Sequence, residues 1–132
     1  MFFSAGLEQL DPALLAFVKC HVTSPVKWEA LRVLAAHTGE WVNAHDLARA
    51  SHRQVGELSV ALDELVTDSV VEVLAAPARD DASYRLPANE PTSVVLQRLI
   101  AATTHSLELR AIIAAHLQRS RHQAQVLPTA AA

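Results

Sequence analysis

Leu7, Leu10, Leu14, Leu15, Phe17 and Val18 recur along the chain at the intervals of a helix face. Asp11-Pro12 falls inside this stretch as a start signal, since Asp caps helices and Pro suits the first helical position. One or two short helices are predicted there. Thr23-Ser24-Pro25 repeats the signal. The helix it opens carries Val26, Ala30, Leu31, Val33 and Leu34 on one face and stops at Gly39, which tolerates a positive φ. Glu40-Trp41-Val42 reads as short and extended. Asn43 opens a brief helix with Leu47 and Ala48 inward and Asp46 in the acidic position of a capping box. A turn through Ser51-His52-Arg53 leads to a further helix. There Val55, Leu58, Leu62 and Leu65 are spaced three, four and three apart, a strong amphipathic pattern.

The period then changes. Val70-Val71-Glu72-Val73-Leu74 is β-branched and predicts a strand. A turn-rich loop from Pro77 to Ala82 joins it to a second short strand, Ser83 to Leu86, making a β-hairpin. Two prolines mark a linker from Pro87 to Thr92. From Thr92 to Leu117 neither Pro nor Gly interrupts, so one long helix of roughly 40 Å is predicted. The segment from Gln118 to Ala132 is polar and then Pro-Thr-Ala-rich, and is expected to be disordered. The fold class is therefore mainly α with a small β-hairpin. A helical extension spans 1–23, a compact domain 24–87, a long C-terminal helix 88–118 and a tail 119–132.

Composition narrows the picture. In 132 residues, 51% are hydrophobic and 5% aromatic, enough for one aliphatic core. No stretch approaches the ~20 apolar residues of a membrane span. The N-terminus has no basic n-region followed by a long apolar run, so no secretory leader is expected. The single Cys20 cannot form an internal disulfide, which fits a reducing compartment and a cytoplasmic location.

The order helix, short helix, helix, strand, loop, strand carries further information. So does the string Leu47-Ala48-Arg49-Ala50-Ser51, then Leu58, Leu62 and Leu65, then Val70-Val71-Glu72-Val73. Together they resemble the winged helix-turn-helix of bacterial transcription regulators over roughly Pro25 to Leu86. The Leu47-Ala48 pair matches the first helix of the motif, and Leu58, Leu62 and Leu65 match the recognition helix. Tyr84-Arg85 matches the closing strand of the wing. The resemblance implies a winged-helix fold, double-stranded DNA as partner and a homodimer made by flanking helices. It places Gln54 and Ser59 nearest the bases and Arg49, Arg53 and Arg79 on phosphates, Arg79 from the wing tip. Where the family has Gly at the start of the wing, this chain has Ser69. At a positive φ that exchange costs about 1 kcal/mol.

Charge supplies a counter-argument. The chain carries 11 basic and 14 acidic residues, a net charge of -3. From Ser24 to Pro87 there are six basic and ten acidic residues, a net charge of -4. No Arg or Lys lies between Gln54 and Arg79, and the third helix of the motif offers Glu57, Asp63 and Glu64 outward. Phosphate neutralisation supplies most non-specific DNA affinity, so one copy should bind weakly and two copies better. Val95, Leu96, Leu99, Ile100, Leu107, Leu109 and Ile113 form apolar stripes wide enough to expect a dimer seam. The alternative is that the first helix packs on these stripes within one chain. A second function also fits the acidic helix: a winged-helix module for protein contacts, meeting a basic partner.

Other chemistry is thin. His105 and His116 stand eleven apart on one helix, similar to the zinc site of arsenic-repressor-type metal sensors. The remaining ligand positions of that site hold Thr103 and Arg119, so no metal and no cofactor is expected. Cys20 reads as a small core residue, and Trp28 and Trp41 as packing. No Gly-rich phosphate loop, GxSxG or HExxH occurs, and an enzyme is not expected.

Overall fold

The computed structural model describes residues 11–78 and 81–131, with side chains as far as Arg119. Leu7, Leu10 and Arg79 lie outside these described residues. Both Pro-led starts form as the sequence predicts. Asp11 accepts from the Ala13 N–H at 2.9 Å and opens α1 (Pro12–His21). Ser24 Oγ accepts from the Lys27 N–H at 3.2 Å and opens α2 (Pro25–Ala36). Gly39, at φ 84°, turns the chain after α2 and donates its N–H to the Leu86 carbonyl at 2.9 Å.

Asn43 caps α3 (Ala44–Ser51) by accepting from the His45 N–H at 2.8 Å. Asp46 pairs with Arg49 one turn on. His52 ends α3 in the left-handed region at φ 55°, and α4 (Val55–Thr67) follows. Ser69 takes the positive φ expected at the start of the hairpin, at 63°.

The extended segment beside Trp41 becomes a strand. β1 (Val42–Asn43) joins β2 (Glu72–Leu74) and β3 (Ser83–Arg85) in an antiparallel sheet of order β1-β3-β2. Tyr84 of the central strand pairs with Val42 on one side and Val73 on the other. The expected two-stranded hairpin is thus three-stranded. Val70 and Val71 fall short of β2 and are buried, while Glu72, Val73 and Leu74 are exposed.

The predicted long helix is two. α5 (Pro91–His105) and α6 (Leu107–Ala131) are separated by Ser106, which is extended at φ −137° and ψ 111°. Ser106 Oγ accepts from the Leu109 N–H at 3.1 Å, the geometry of a cap at the start of α6. The tail expected to be disordered continues α6 to Ala131.

The corner at Ser106 lets α5 and α6 pack together, with α1 and α2 against α5. Leu96, Leu99, Leu109 and Ile113 are buried in this one chain, beside Val18, Leu31, Leu34, Leu58, Leu62 and Leu65. Each fully buried Leu contributes about 2 kcal/mol. The apolar stripes expected to make a dimer seam are therefore largely used within the protomer. Leu107 is 77% exposed, and Val95 and Ile100 keep partial exposure. Cys20, expected in the core, is exposed.

Candidate nucleic-acid interface

α3 and α4 meet at the turn through His52, and their outer surfaces form an open hollow of about 600 Å³. His45 and Arg49 line it from α3, His52 and Arg53 from the turn, and Gln54 from the start of α4. Gln54 is the N-cap of α4 but its side chain makes no cap hydrogen bond. The first N–H groups of α4 therefore lack a side-chain cap, at the positive end of the helix dipole. Gly56 stands in this first turn, and a Cβ added there would meet no atom within 4 Å.

The two arginines differ. Arg49 is 79% exposed and its guanidinium pairs with Asp46. Arg53 is only 27% exposed and reaches back to α2, where its Nε donates to Glu29 at 2.7 Å. Its second arm lies 3.6 Å from Glu57. The Glu29 hydrogen bond holds the Arg53 pKa above its ordinary value. Arg53 is thus bound into the joint between α2 and α4, where the resemblance had implied a phosphate contact.

α4 shows two faces. Leu58, Ser59, Ala61, Leu62 and Leu65 are buried. Ser59 is 4% exposed and its Oγ has no hydrogen-bond partner among the described residues. Its expected contact with a base is therefore corrected: Ser59 shares the inward row that runs from Val55 to Leu62 and Val66. Gly56, Glu57, Val60, Asp63 and Glu64 face outward. Val60 is 59% exposed, a large apolar side chain in the middle of this face.

The acidic character of the face is partly offset from below. Lys27, buried on α2, places Nζ 2.6 Å from Glu64. Arg53 partly neutralises Glu57 in the same way. Arg85 does not converge on the hollow. It lies on the sheet, with Nε 2.7 Å from Glu72 and its guanidinium 4.3 Å from the centre of the Trp41 ring. Trp28 faces a separate groove of about 460 Å³ between α2 and the α5–α6 corner, with Arg32, Ile100 and Arg110. His116 turns toward the Val22 carbonyl at 2.8 Å. Among the described residues, no three His, Cys, Asp or Glu side chains gather as a metal site. Among them, no helix is long and apolar enough to cross a membrane.

Comparison with solved structures adds the fold. The chain is similar to a crystal structure of a transcriptional regulator of the MarR family from Silicibacter pomeroyi. The match covers 98% of this chain and 92% of the other, with a TM-score of 0.52 and 19% identity. The fold is a winged helix. Its helix-turn-helix is α3 and α4, and its wing is β2 and β3. No family model matches the chain, and no curated protein matches it.

The sequence pattern assigned no role to His45, His52, Gly56 or Val60. The first two lie on α3 and its turn, away from the helix expected to read bases. The last two lie on α4's outward row, legible by counting from the Leu58-Leu62-Leu65 row.

Proposed function

We propose that this protein is a DNA-binding transcriptional regulator acting as a cytoplasmic homodimer, with α4 in the major groove. The observation that supports it is the gathering of His45, Arg49, His52 and Gln54 around the start of α4. The Arg49 cation and the helix N–H groups that no side chain caps both favour a phosphate, and phosphate contacts set the register of a recognition helix. Similarity to a winged-helix transcriptional regulator supports the same reading.

In this reading Arg49 is the outer cation, released from Asp46 to a phosphate. Arg53 acts behind it by fixing α4 on α2. Gln54 lies nearest the base edges, and Val60 presents an apolar surface to a thymine methyl. Arg79 at the wing tip contacts the backbone. The proposal assigns no catalytic step. One copy offers few free cations, so two copies on two half-sites supply the affinity. Val95, Ile100 and Leu107 are the remaining apolar surface for that contact.

Arg49→Ala tests the phosphate role. It should weaken binding to every duplex sequence alike and reduce the salt slope by about one. Unchanged affinity and slope would remove Arg49 from the interface.

A second reading rests on Val60 among Glu57, Asp63 and Glu64. An apolar centre with an acidic rim suits a basic protein surface. Recovery of no protein partner from lysate, beside tight duplex binding, would defeat it.

A further inference from the structure

The turn between α1 and α2 is gripped from three helices. From α6, His116 Nε2 lies 2.8 Å from the Val22 carbonyl oxygen. From α2, the buried Lys27 donates from Nζ to Thr23 Oγ1 at 2.9 Å, and the same ammonium meets Glu64 of α4 at 2.6 Å. From α1, His21 Nδ1 stands 3.7 Å from Asp68 Oδ2, and Asp68 is the residue that closes α4. Two contacts on the C-terminal half of α4 thus run through residues 21–27, which α6 holds from another side.

His21 is incomplete in this arrangement. Its Nδ1 is buried and has no hydrogen-bond partner among the described residues. At 3.7 Å, Asp68 is too far for a hydrogen bond. A neutral imidazole can leave Nδ1 as an unused acceptor. An imidazolium cannot, because both ring nitrogens then carry N–H groups that need acceptors.

The surroundings set the balance. Asp68 faces His21 from the end of α4, and Lys27 with its partner Glu64 faces it from α2 and α4. His116 approaches the same turn from α6, and Cys20 is the neighbour on α1. The Phe17 ring stands edge-on at 5.0 Å, and α5 contributes Pro91, Thr92 and Val95, none of which titrates. Burial pushes the His21 pKa down, Asp68 pulls it up and Lys27 pushes it down, and burial prevails. The ring is therefore neutral at pH 7 and takes its proton only below the ordinary imidazole value.

We propose that the α1–α2 turn is a proton-operated clasp on α4, in which protonated His21 draws Asp68 into a hydrogen bond and drives Lys27 away. The end of α4 moves toward α1, and the Lys27–Glu64 contact slackens. The clasp is a property of the fold. Its effect on DNA affinity rests on the reading of α4 as the DNA-contacting helix.

An NMR titration of the full chain from about pH 8 to about pH 5 tests it. The His21 ring should titrate below the ordinary value of 6.5, and the Asp68 and Ser69 amides should move with the same midpoint. Asp68→Asn should lower the His21 midpoint by roughly 0.3–0.7 pH unit, the size of a part-exposed ion pair. Lys27→Met should raise it. His21→Asn should abolish the amide shifts at 68 and 69. Amide shifts that persist in His21→Asn, or a His21 midpoint unmoved in Asp68→Asn, would overturn the clasp. Should the variants fail to fold, the wild-type titration decides alone, since different midpoints for His21 and the two amides are incompatible with coupling. Duplex binding followed over the same pH range is a separate arm. No DNA binding at any pH removes the functional consequence and leaves the NMR result standing.

Discussion

Gly56 in the first turn of α4 and Ser69 just past its end show opposite mismatches between residue and backbone. Gly56 is helical with open space at its missing Cβ, so Gly56→Ala should stabilise the fold by about 0.5–1 kcal/mol. If α4 meets DNA as proposed, the bare backbone at Gly56 leaves room for a phosphate at the helix N-terminus, so the same change should weaken duplex binding. Urea melts and anisotropy on one variant read both effects; a gain in both would show that Gly56 plays no part at the interface. Ser69 sits at φ 63°, and Ser69→Gly should add about 0.5–1 kcal/mol, which a urea midpoint detects. His21 adds a pH dependence with a definite sign. Its folded pKa lies below its ordinary 6.5 because of burial, so the folded state disfavours the proton. The corresponding stability is fully present above about pH 6.5 and is lost as pH falls through the lowered folded value. A thermal midpoint that rises on acidification across this window would contradict it. Ser69 was legible from the sequence because turn chemistry is local. Ser59 was misplaced, although its spacing from Val55 and Leu62 assigns it inward, because a polar side chain invites an outward reading.

At the level of elements, the asymmetry of the Lys27–Glu64 pair is the informative feature. The Lys27 side chain is 8% exposed and that of Glu64 58%. Glu64→Ala leaves a buried ammonium with only the neutral Thr23 hydroxyl and should cost about 2 kcal/mol, whereas Lys27→Met leaves a solvated carboxylate and an exposed Thr23 hydroxyl and should cost under about 1 kcal/mol. Equal losses in denaturant melts would mean the pair is not the clamp described. The α5–α6 corner depends on Ser106, so Ser106→Ala should destabilise it by about 1 kcal/mol, seen as faster amide exchange from Leu107 to Leu109. The sequence pattern predicted the capped helices α1 to α3, since Asp11, Ser24 and Asn43 announce themselves locally, and α4 from its Leu58-Leu62-Leu65 spacing. It missed the break at Ser106 because no Pro or Gly marks it; the cap is a lone serine with Glu108 nearby. It missed β1 as well, because a strand of Val42 and Asn43 is defined by its pairing with β3, not by its own periodicity.

For the molecule as a whole, the corner decides where the apolar surface goes. A single straight helix would have left its stripes for a second copy. Folded back as α5 and α6, they are largely buried within the chain, with α1 and α2 against α5, while Leu107 stays exposed and Val95 and Ile100 partly so. Overall charge was legible as -3, but its distribution was not. Glu29 and Glu57 occupy Arg53, and Lys27 occupies Glu64, so the outward face of α4 is less acidic than its sequence, and the proposed phosphate contact is confined to the hollow around Arg49. The proposed function requires this hollow to engage a phosphate backbone. An anisotropy titration of the wild-type chain with random-sequence duplex, at low salt and at physiological salt, tests it most directly. Binding at low salt should weaken as salt rises, with a log–log slope of roughly −2 to −4 for two copies. No binding at low salt would contradict it and leave the apolar, acidic face of α4 as a surface for protein.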